Sequence, residues 1–228
     1  MKRGKKYTEL RKDLDRSKIY SIEEAVKKVK KLSYSKFVGT LELHMDIKVP
    51  KDKDPKSIKG SVSLPHSSGN QDIKIAVFTE DKVDEAKKAG ADFVGLENLI
   101  KDVKDGKIDF DVAIASPSVM SKIAVLGKEL GPKGLMPNPK TGTVTDDIGA
   151  TVEEYKKGKQ TFVCDSSGVI HMAVGKLDMD DEKLLENIHE AVKAIEIAVG
   201  RNYAQTINKL HLTPTMGPSV KVKYTRGE

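Results

Sequence analysis

The residues Ile73-Lys-Ile-Ala-Val-Phe78 form a short, mostly apolar run, which predicts a buried strand. Helical and strand-like segments alternate after it: a helix from Asp81 to Ala89, a strand at Asp92–Gly95, a helix from Glu97 to Lys104 and a strand at Phe110–Ala115. Strands that alternate with helices at this spacing are typical of a small parallel sheet covered on both faces. The centre of the chain is therefore predicted to be a Rossmann-like α/β domain.

Two further helix starts are predicted in this central stretch. Ser116 is expected to cap a helix that has Pro117 at its first position and ends at Leu130. Thr151-Val-Glu-Glu154 has the spacing of a capping box, and it predicts the start of a helix that ends at Gly158.

The two ends of the chain mix strands and helices without this regular alternation. Ser21-Ile-Glu-Glu24 is a capping box before an amphipathic helix, and residues 40–47 alternate in polarity as a half-buried strand does. Ser166-Ser-Gly168 predicts a hairpin between strands at residues 160–165 and 169–174. Asp180 is predicted to begin the longest helix, which Gly200 ends.

These patterns predict an α+β two-domain protein. Residues 1–66 and 159–228 would form a discontinuous α+β domain one, and residues 67–158 an inserted α/β domain two. The chain would cross between the domains at residues 66–70 and 157–160, which predicts a double hinge. Residues 1–18 are rich in Lys and Arg and poor in apolar side chains, so we expect a flexible arm or an irregular basic lead-in.

The positive charge is concentrated in the first part of the chain. The net charge is +6, and residues 1–66 carry 18 Lys and Arg against 9 Asp and Glu. Residues 67–157 carry 13 against 16, so the predicted domain two is mildly acidic. A polyanion is therefore expected to bind the N-terminal part first, although a lysine-rich soluble protein with solvated faces has the same composition.

The sequence contains no pattern that predicts catalysis, a cofactor or a metal. Its five histidines lie far apart in the sequence without paired ligand spacing, and Cys164 is its single cysteine, which excludes a disulfide framework. It has no signal peptide and no apolar run of about 18 residues. We therefore expect a cytoplasmic protein that is not an enzyme and does not span a membrane.

Gly131-Pro-Lys-Gly-Leu-Met-Pro-Asn-Pro-Lys-Thr-Gly-Thr143 holds three glycines and three prolines, which predicts a surface loop presenting Lys133 and Lys140. The loop suggests an anion or phosphate contact, but it is not a Walker A site because Leu135 follows Gly134. A small-molecule enzyme that binds a phosphate through these two lysines is the alternative function.

The same loop, taken from Leu130 to Val144, closely resembles the signature of the ribosomal large-subunit protein one family, in its bacterial type. The resemblance continues along nearly the whole chain in the family's order. It includes Lys36-Phe37 with Thr40, Leu64-Pro-His66, Ala89-Gly-Ala-Asp92, Asp109-Phe-Asp-Val112, Gly168-Val-Ile-His171 and Thr215-Met-Gly-Pro218.

This resemblance implies a two-domain protein with both chain ends in domain one. It implies a structural protein of the large ribosomal subunit that binds the stalk region of large-subunit rRNA and helps to release deacylated tRNA from the exit site. It also implies that the protein represses translation of its own operon mRNA. No cofactor is implied.

The family's RNA contacts, carried over position by position, fall on Lys36, Phe37, Thr40, Glu42, Gly168, Lys176, Thr215, Met216 and Gly217. The threonine hydroxyls suit the 2′-hydroxyls and phosphates of RNA, the lysines suit its charge, and Gly217 would allow a close backbone approach. The alternatives are internal packing for Phe37 and Met216 and an ordinary strand position for Thr40. Lys133 and Lys140 are possible secondary contacts with RNA.

Two departures from the family pattern stand out. Leu64-Pro-His-Ser-Ser-Gly-Asn70 lacks a lysine that the family usually has near the hinge, which puts a phosphate contact there in doubt. Val38-Gly39 replaces a more usual acidic pair, which should increase the attraction for RNA.

Overall fold

The computed structural model describes residues 4–12, 14–15, 17–49, 54–66, 73–200 and 207–224. The chain forms two compact units: unit one comprises Met1–Gly69 and Thr161–Glu228, and unit two comprises Asn70–Gln160. Residues 67–70 of the first predicted crossing lie outside the described residues, and the double hinge stays a prediction.

The described residues form helices and three sheets, so the fold is a mixed α and β one. In chain order the elements are α1 (Lys5–Lys12), α2 (Ile22–Leu32), β1 (Thr40–Ile47), β2 (Lys59–Ser63), β3 (Ile75–Phe78), α3 (Val83–Lys88), β4 (Phe93–Gly95), α4 (Glu97–Lys104), β5 (Val112–Ala115), α5 (Met120–Ile123), α6 (Gly127–Leu130), α7 (Ile148–Lys156), β6 (Lys159–Val163), β7 (Val169–Lys176), α8 (Asp181–Val199), β8 (Ile207–Pro214) and β9 (Val220–Val222).

The main sheet of unit one is antiparallel, in the order β7-β1-β8-β9. Burial alternates strictly along β1, so Leu41, Leu43, Met45 and Ile47 enter the core while the residues between them stay half-buried. This confirms the predicted strand, since a period of two places alternate side chains on opposite faces. We name the other side of this sheet, which carries the outward residues of β1, the polar face.

Two helices cover the apolar side of the main sheet. α2 contacts β8 and β9, and α8 contacts β7 and the two-stranded sheet formed by β2 and β6. Both helices have the predicted ends: the Ser21 side chain accepts a hydrogen bond from Glu24 N, and Gly200 ends α8 at φ 73°. A left-handed φ of this kind favours glycine because it lacks a Cβ atom.

Unit two contains a parallel three-stranded sheet in the order β4-β3-β5. All four residues of β3 are buried: Ala76 and Phe78 pack with residues of α4 and α6, whereas Ile75 and Val77 pack with residues of α3 and α7. β3 is thus buried on both faces, which explains its continuous apolar sequence.

The N-terminal lead-in differs from the expectation. Lys5–Lys12 is a helix with no buried residue, although Leu10 packs against the core and Leu14 is buried just beyond it. Lys, Glu, Leu and Arg all favour helix formation, and the leucines supply the apolar contact. The prediction of a flexible arm or an irregular lead-in was therefore wrong over this segment.

The predicted hairpin at Ser166-Ser-Gly168 has the right turn but the wrong pairing. Asp165 Oδ1 accepts hydrogen bonds from Ser167 N and Val169 N, and Gly168 has a φ of 83°. The adjoining strands nevertheless join different sheets, β6 with β2 and β7 with β1, and share only the isolated bridge between Cys164 and Ile170. The turn residues suggested that the two adjoining strands pair with each other. Pairing with strands distant in the sequence determined the sheets instead.

Of two further helix starts, one was predicted at the right residue and the other at the wrong one. Ser116 occupies the cap position, but its side chain makes no cap hydrogen bond and lies 3.0 Å from Ser118 Oγ. The segment beyond it is broken into short α and 3-10 pieces. Thr151 lies inside α7, where its hydroxyl donates to Asp147 O, because α7 begins earlier and buries Ile148 together with Val152.

Candidate nucleic-acid interface

Five residues predicted to contact RNA come together where β1 begins and β8 ends. We name this surface the Thr40 corner; it consists of Lys36, Phe37, Thr40, Thr215 and Met216. Thr215 joins its two segments: Thr215 N donates to Thr40 O at 3.0 Å, and Thr215 Oγ1 accepts from Thr40 N at 2.8 Å and donates to Thr40 O at 3.2 Å. Because a hydroxyl has one proton and two lone pairs, Thr215 Oγ1 can still accept a hydrogen bond but has no proton left for a phosphate.

Two apolar side chains of the Thr40 corner are uncovered. Phe37 is 57% exposed and Met216 is 39% exposed, so neither is packed in the core. Their backbones are held in place, since Ser35 Oγ donates to Phe37 O at 2.8 Å and Tyr34 N donates to Met216 O at 3.3 Å. An exposed aromatic ring on a fixed backbone can stack against an unpaired base.

Gly217 has a packing role that differs from the predicted approach of RNA. A Cβ atom at this position would lie 2.6 Å from Pro214 Cγ and 2.7 Å from Leu32 O. The second neighbour is backbone at the end of α2, which cannot move aside as a side chain can. Gly217 therefore lets the turn after β8 pack against α2, and this contact fixes the position of Met216.

Glu42 and Lys176 lie beside the Thr40 corner. The register places Lys176 of β7 opposite Thr40, and Glu42 between Ala173 and Thr213. Glu42 Oε2 is 3.5 Å from His44 Nε2. Lys176 has an ammonium group that can contact a phosphate, and Glu42 has a carboxylate that can accept hydrogen bonds from a base or a sugar.

Gly168 lies at the opposite end of β1 from the Thr40 corner. Its carbonyl accepts a hydrogen bond from Ile47 N at 2.8 Å. Seven residue steps separate Thr40 from Ile47, which is about 23 Å along an extended strand. Gly168 itself is buried, so Ser166 and Ser167 are the exposed groups of its turn. The predicted contacts thus form two groups, one at each end of β1.

The register brings together three histidines that are far apart in the sequence. His44 lies opposite both His171 of β7 and His211 of β8, and Lys221 of β9 follows in the same row. Sequence reasoning treated these histidines as isolated because cross-strand register is not visible in residue spacing. Their shared outward position on alternating strands was the available signal, since residues at outward positions share one face.

The environments of His44 and His211 favour neutral imidazoles. Burial lowers the pKa of His44, and the neighbouring His171 lowers it further, while Glu42 opposes the shift. Burial also lowers the pKa of His211, helped by Lys221, His44 and Lys209 and opposed by Asp46. Desolvation disfavours the charged form, and a nearby positive charge adds to that effect.

The glycine- and proline-rich loop in unit two is organised around Asn138. Asn138 O accepts hydrogen bonds from the amides and hydroxyls of Thr141 and Thr143, and Asn138 N donates to Thr143 Oγ1 at 2.8 Å. Lys133 and Lys140 are exposed on this loop. The hydrogen bonds of the loop are thus mostly internal to it. The side chains of Lys133 and Lys140 point to solvent, where a ligand could reach them.

Unit two also has a pocket that lies apart from that loop. A pocket of about 310 Å³ is lined by Phe93, Leu99, Asp102, Val103, Lys107, Asp109 and Phe110, and neither loop lysine lines it.

Nothing in the described parts of the chain groups three or more His, Cys, Asp or Glu side chains as a metal ion would require. Cys164 is fully buried, and burial, with a smaller contribution from Asp165, raises the pKa of its thiol to about 11. Of the helices that the structure describes, none is long and apolar enough to cross a membrane.

Comparison with known proteins identifies the family. The model of the ribosomal protein L1p/L10e family matches residues 29–218. The chain belongs to this family. It is 42% identical to the large ribosomal subunit protein uL1 of Kosmotoga olearia, over 99% of this chain and 98% of that protein. It is 45% identical to the uL1 proteins of Thermosipho melanesiensis and Thermosipho africanus, in both cases over 97% of this chain and 96% of the relative.

Membership of the L1p/L10e family confirms the resemblance found in the loop signature, and these relatives are all bacterial. The matched range includes every residue predicted to contact RNA, from Lys36 to Gly217. It also includes the three histidines of the row, which the sequence alone did not connect with one another.

Proposed function

We propose that this chain is a structural protein of the large ribosomal subunit, located in the cytoplasm, that binds the stalk region of large-subunit rRNA through unit one. The observation that carries the proposal is the Thr40 corner, where exposed Phe37 and Met216 stand beside Lys36 on a backbone fixed by Thr215. The relatives named as uL1 proteins of the large subunit support the ribosomal setting.

The chemistry of the Thr40 corner suits RNA. Thr215 Oγ1 retains a lone pair that can accept a hydrogen bond from a 2′-hydroxyl, which distinguishes RNA from DNA. Phe37 offers a stacking surface for an unpaired base, and stacking of this kind contributes about 1–3 kcal/mol per base. Lys36 and Lys176 add phosphate contacts whose strength falls with salt because counterions are released on binding.

Two further roles belong to the same proposal. The protein assists the release of deacylated tRNA from the exit site, and Lys133 and Lys140 of unit two are the exposed cations available for a secondary RNA contact. It also represses translation of its own operon mRNA by binding an RNA structure similar to its rRNA site. Repression is tested with a reporter carrying the operon leader, where wild-type protein should lower translation and a Phe37→Ala variant should not.

The direct test is a filter-binding titration of the full chain against a stalk rRNA fragment over a range of salt concentrations. We expect the affinity to fall linearly with salt on a logarithmic plot and the Phe37→Ala variant to bind more weakly by about 1–3 kcal/mol. Ile197→Ala is the matched control, because Ile197 is also exposed and apolar but lies on α8. Equal affinity of the Phe37 variant and the control would move the RNA site elsewhere.

The alternative function, a phosphate-binding enzyme built on unit two, predicts different behaviour. Nucleotides would raise the melting temperature of the protein, and the stalk rRNA fragment would not be retained. Loss of the protein from ribosomal subunits in a high-salt wash would instead indicate a ribosome-associated factor with the same fold.

A further inference from the structure

The polar face joins the two groups of predicted RNA contacts. The Thr40 corner lies at one end of β1 and the turn of Gly168 at the other, about 23 Å apart for an extended strand. Between them the outward residues of β1 are Glu42, His44 and Asp46. An RNA that contacts both groups must therefore cross the row His171–His44–His211–Lys221, which runs across the four strands at this point.

His44 and His171 form a close pair. Their Nδ1 atoms are 2.6 Å apart, and their ring centroids are 4.9 Å apart in an edge-on arrangement. At this separation one Nδ1 must carry a proton and the other must accept it. The pair can therefore hold one additional proton without losing this hydrogen bond, and each Nε2 faces a carboxylate, that of Glu42 at 3.5 Å from His44 and that of Asp165 at 3.7 Å from His171.

The charges around the row leave it without an excess of positive charge while the imidazoles are neutral. Glu42 and Asp46 project from β1, Asp165 Oδ2 is 3.7 Å from His171 Nε2, and Asp15 lies beside His211. Lys209 and Lys221 contribute to the lowered pKa of His211, and Lys18 lines the pocket beside it. Protonation of the histidines thus makes this surface more attractive to a phosphate.

One end of the row opens into a small polar pocket. Its volume is about 90 Å³, and it is lined by Leu14, Asp15, Lys18, His211, Ser219 and Lys221. Asp15 is engaged within its own turn, since its Oδ1 accepts from Ser17 N at 2.9 Å and from Ser17 Oγ at 2.6 Å. Two ammonium groups, a hydroxyl and an imidazole of this lining can contact an anion, against the single carboxylate of Asp15.

We propose that the histidine row and this pocket form a second contact surface for RNA phosphate groups, and that its imidazoles take up protons when the RNA binds. The inference rests on the proposed function, because it concerns the same RNA. It adds a contact between the two predicted groups and makes the affinity depend on pH. The pocket holds one phosphate of the RNA backbone. The His44–His171 pair faces the part of the RNA that continues towards the turn of Gly168.

The direction of the pH dependence follows from the free protein. Burial and neighbouring cations hold the pKa values of His44 and His211 below their ordinary value of 6.5, so both are mostly neutral at pH 7.5. A bound phosphate favours the charged imidazole and raises its pKa. Affinity is then highest below the pKa of the free protein and falls as the pH rises through the pKa of the complex. A rise of one pKa unit at one imidazole corresponds to about a tenfold gain in affinity.

The experiment compares the binding of a stalk rRNA fragment at pH 8.0 and pH 6.0 by the wild type and by a variant carrying His44→Gln, His171→Gln and His211→Gln. The wild type should bind about five- to tenfold more tightly at the lower pH, and the variant should change less than about twofold. His189→Gln is the matched control, because His189 lies on α8 beside Tyr224 and away from the row. It should retain the wild-type dependence.

The outcomes separate the two proposals. Absence of RNA binding by the wild type at both pH values contradicts the proposed function itself. RNA binding with the same pH dependence in the triple variant overturns only the inference about the row. If the triple variant does not fold, the imidazole resonances of the wild type are titrated with and without RNA. Unchanged pKa values of His44 and His211 in the complex would overturn the inference equally.

Discussion

The Thr40 corner of unit one and the loop Gly131–Thr143 of unit two, which is organised around Asn138, differ in how they use their threonine hydroxyls. Both contain Thr and Lys, but the loop uses the hydroxyls of Thr141 and Thr143 to bind its own backbone. In the corner, the hydroxyl of Thr215 binds the backbone of Thr40, and Phe37 and Met216 are left uncovered. The loop with the more distinctive sequence is therefore held mainly by its own hydrogen bonds, whereas the Thr40 corner leaves two apolar side chains exposed.

This comparison can be tested first at Gly217, where we expect the largest effect. Gly217→Ala places a Cβ atom against Leu32 O and Pro214 Cγ, so the free energy of unfolding of unit one should fall by about 1–3 kcal/mol, as overpacking usually costs. RNA affinity should fall with it, because Met216 is displaced. Gly127→Ala is the control, since nothing lies within 4 Å of a Cβ atom there. A Gly217 variant as stable as this control would show that the turn can shift.

A substitution at Met216 distinguishes a role in RNA binding from a role in folding stability. Met216→Ala should weaken binding to the stalk rRNA fragment by about 1–3 kcal/mol while leaving the free energy of unfolding within about 0.5 kcal/mol of the wild type. Filter binding and urea unfolding measure the two quantities. Val163→Ala serves as the control, because Val163 is an exposed apolar residue on β6. A loss of stability without a loss of affinity would assign Met216 to packing.

A substitution at Thr143 in the loop is expected to change stability and not RNA affinity. Thr143→Val leaves Asn138 N without its hydrogen-bond partner, which should destabilise unit two by about 1–2 kcal/mol. RNA affinity of the folded protein should stay unchanged. Thr143→Ser keeps the hydroxyl and should restore most of the stability. A large loss of affinity in the Val variant would make the loop part of the principal RNA site.

Stability should also depend on pH through the polar face. The pKa values of His44 and His211 are lowered in the folded protein, so the unfolded chain binds protons first as the pH falls below 6.5. The free energy of unfolding of unit one is then highest above that pH and decreases as the pH falls below it. Urea unfolding at pH 7.5 and 5.5, followed through β1 amide resonances, should show this decrease. His44→Gln with His211→Gln should reduce it, and an equal decrease in that variant would assign the effect to other groups.

The smallest effect is expected from the loop lysines. Lys133→Gln with Lys140→Gln should change affinity for the isolated stalk rRNA fragment by less than about twofold and leave the salt slope within about one unit. Lys36→Gln with Lys176→Gln provides the comparison in unit one and should lower both. A larger effect from the loop pair would reverse the ranking of the two surfaces.

The parts of the fold that local chemistry determines could be predicted from the sequence. The capping box at Ser21, the alternation along β1 and the glycine that ends α8 were all interpreted correctly, because each depends on neighbouring residues. The start of α7 was mistaken since tertiary burial of Ile148 and Val152 outweighed the capping pattern at Thr151.

The candidate site was predictable only residue by residue. The family resemblance named Phe37, Thr215 and Met216, but the internal hydrogen bonds of Thr215 and the packing role of Gly217 depend on contacts between distant segments. The histidine row depends on three cross-strand registers at once. Sequence spacing contains none of that information, because two of these registers pair residues that are more than one hundred positions apart.

The burial of Cys164 has a practical consequence. With a thiol pKa of about 11, roughly one molecule in ten thousand carries the reactive thiolate at pH 7, and the sulfur is also shielded from reagents. Since it is the only cysteine in the sequence, new cysteines can be placed on the surfaces of both units without first removing a native one. Thiol-specific fluorophores at two such positions would report the separation of the units, with and without RNA, in the otherwise unaltered chain.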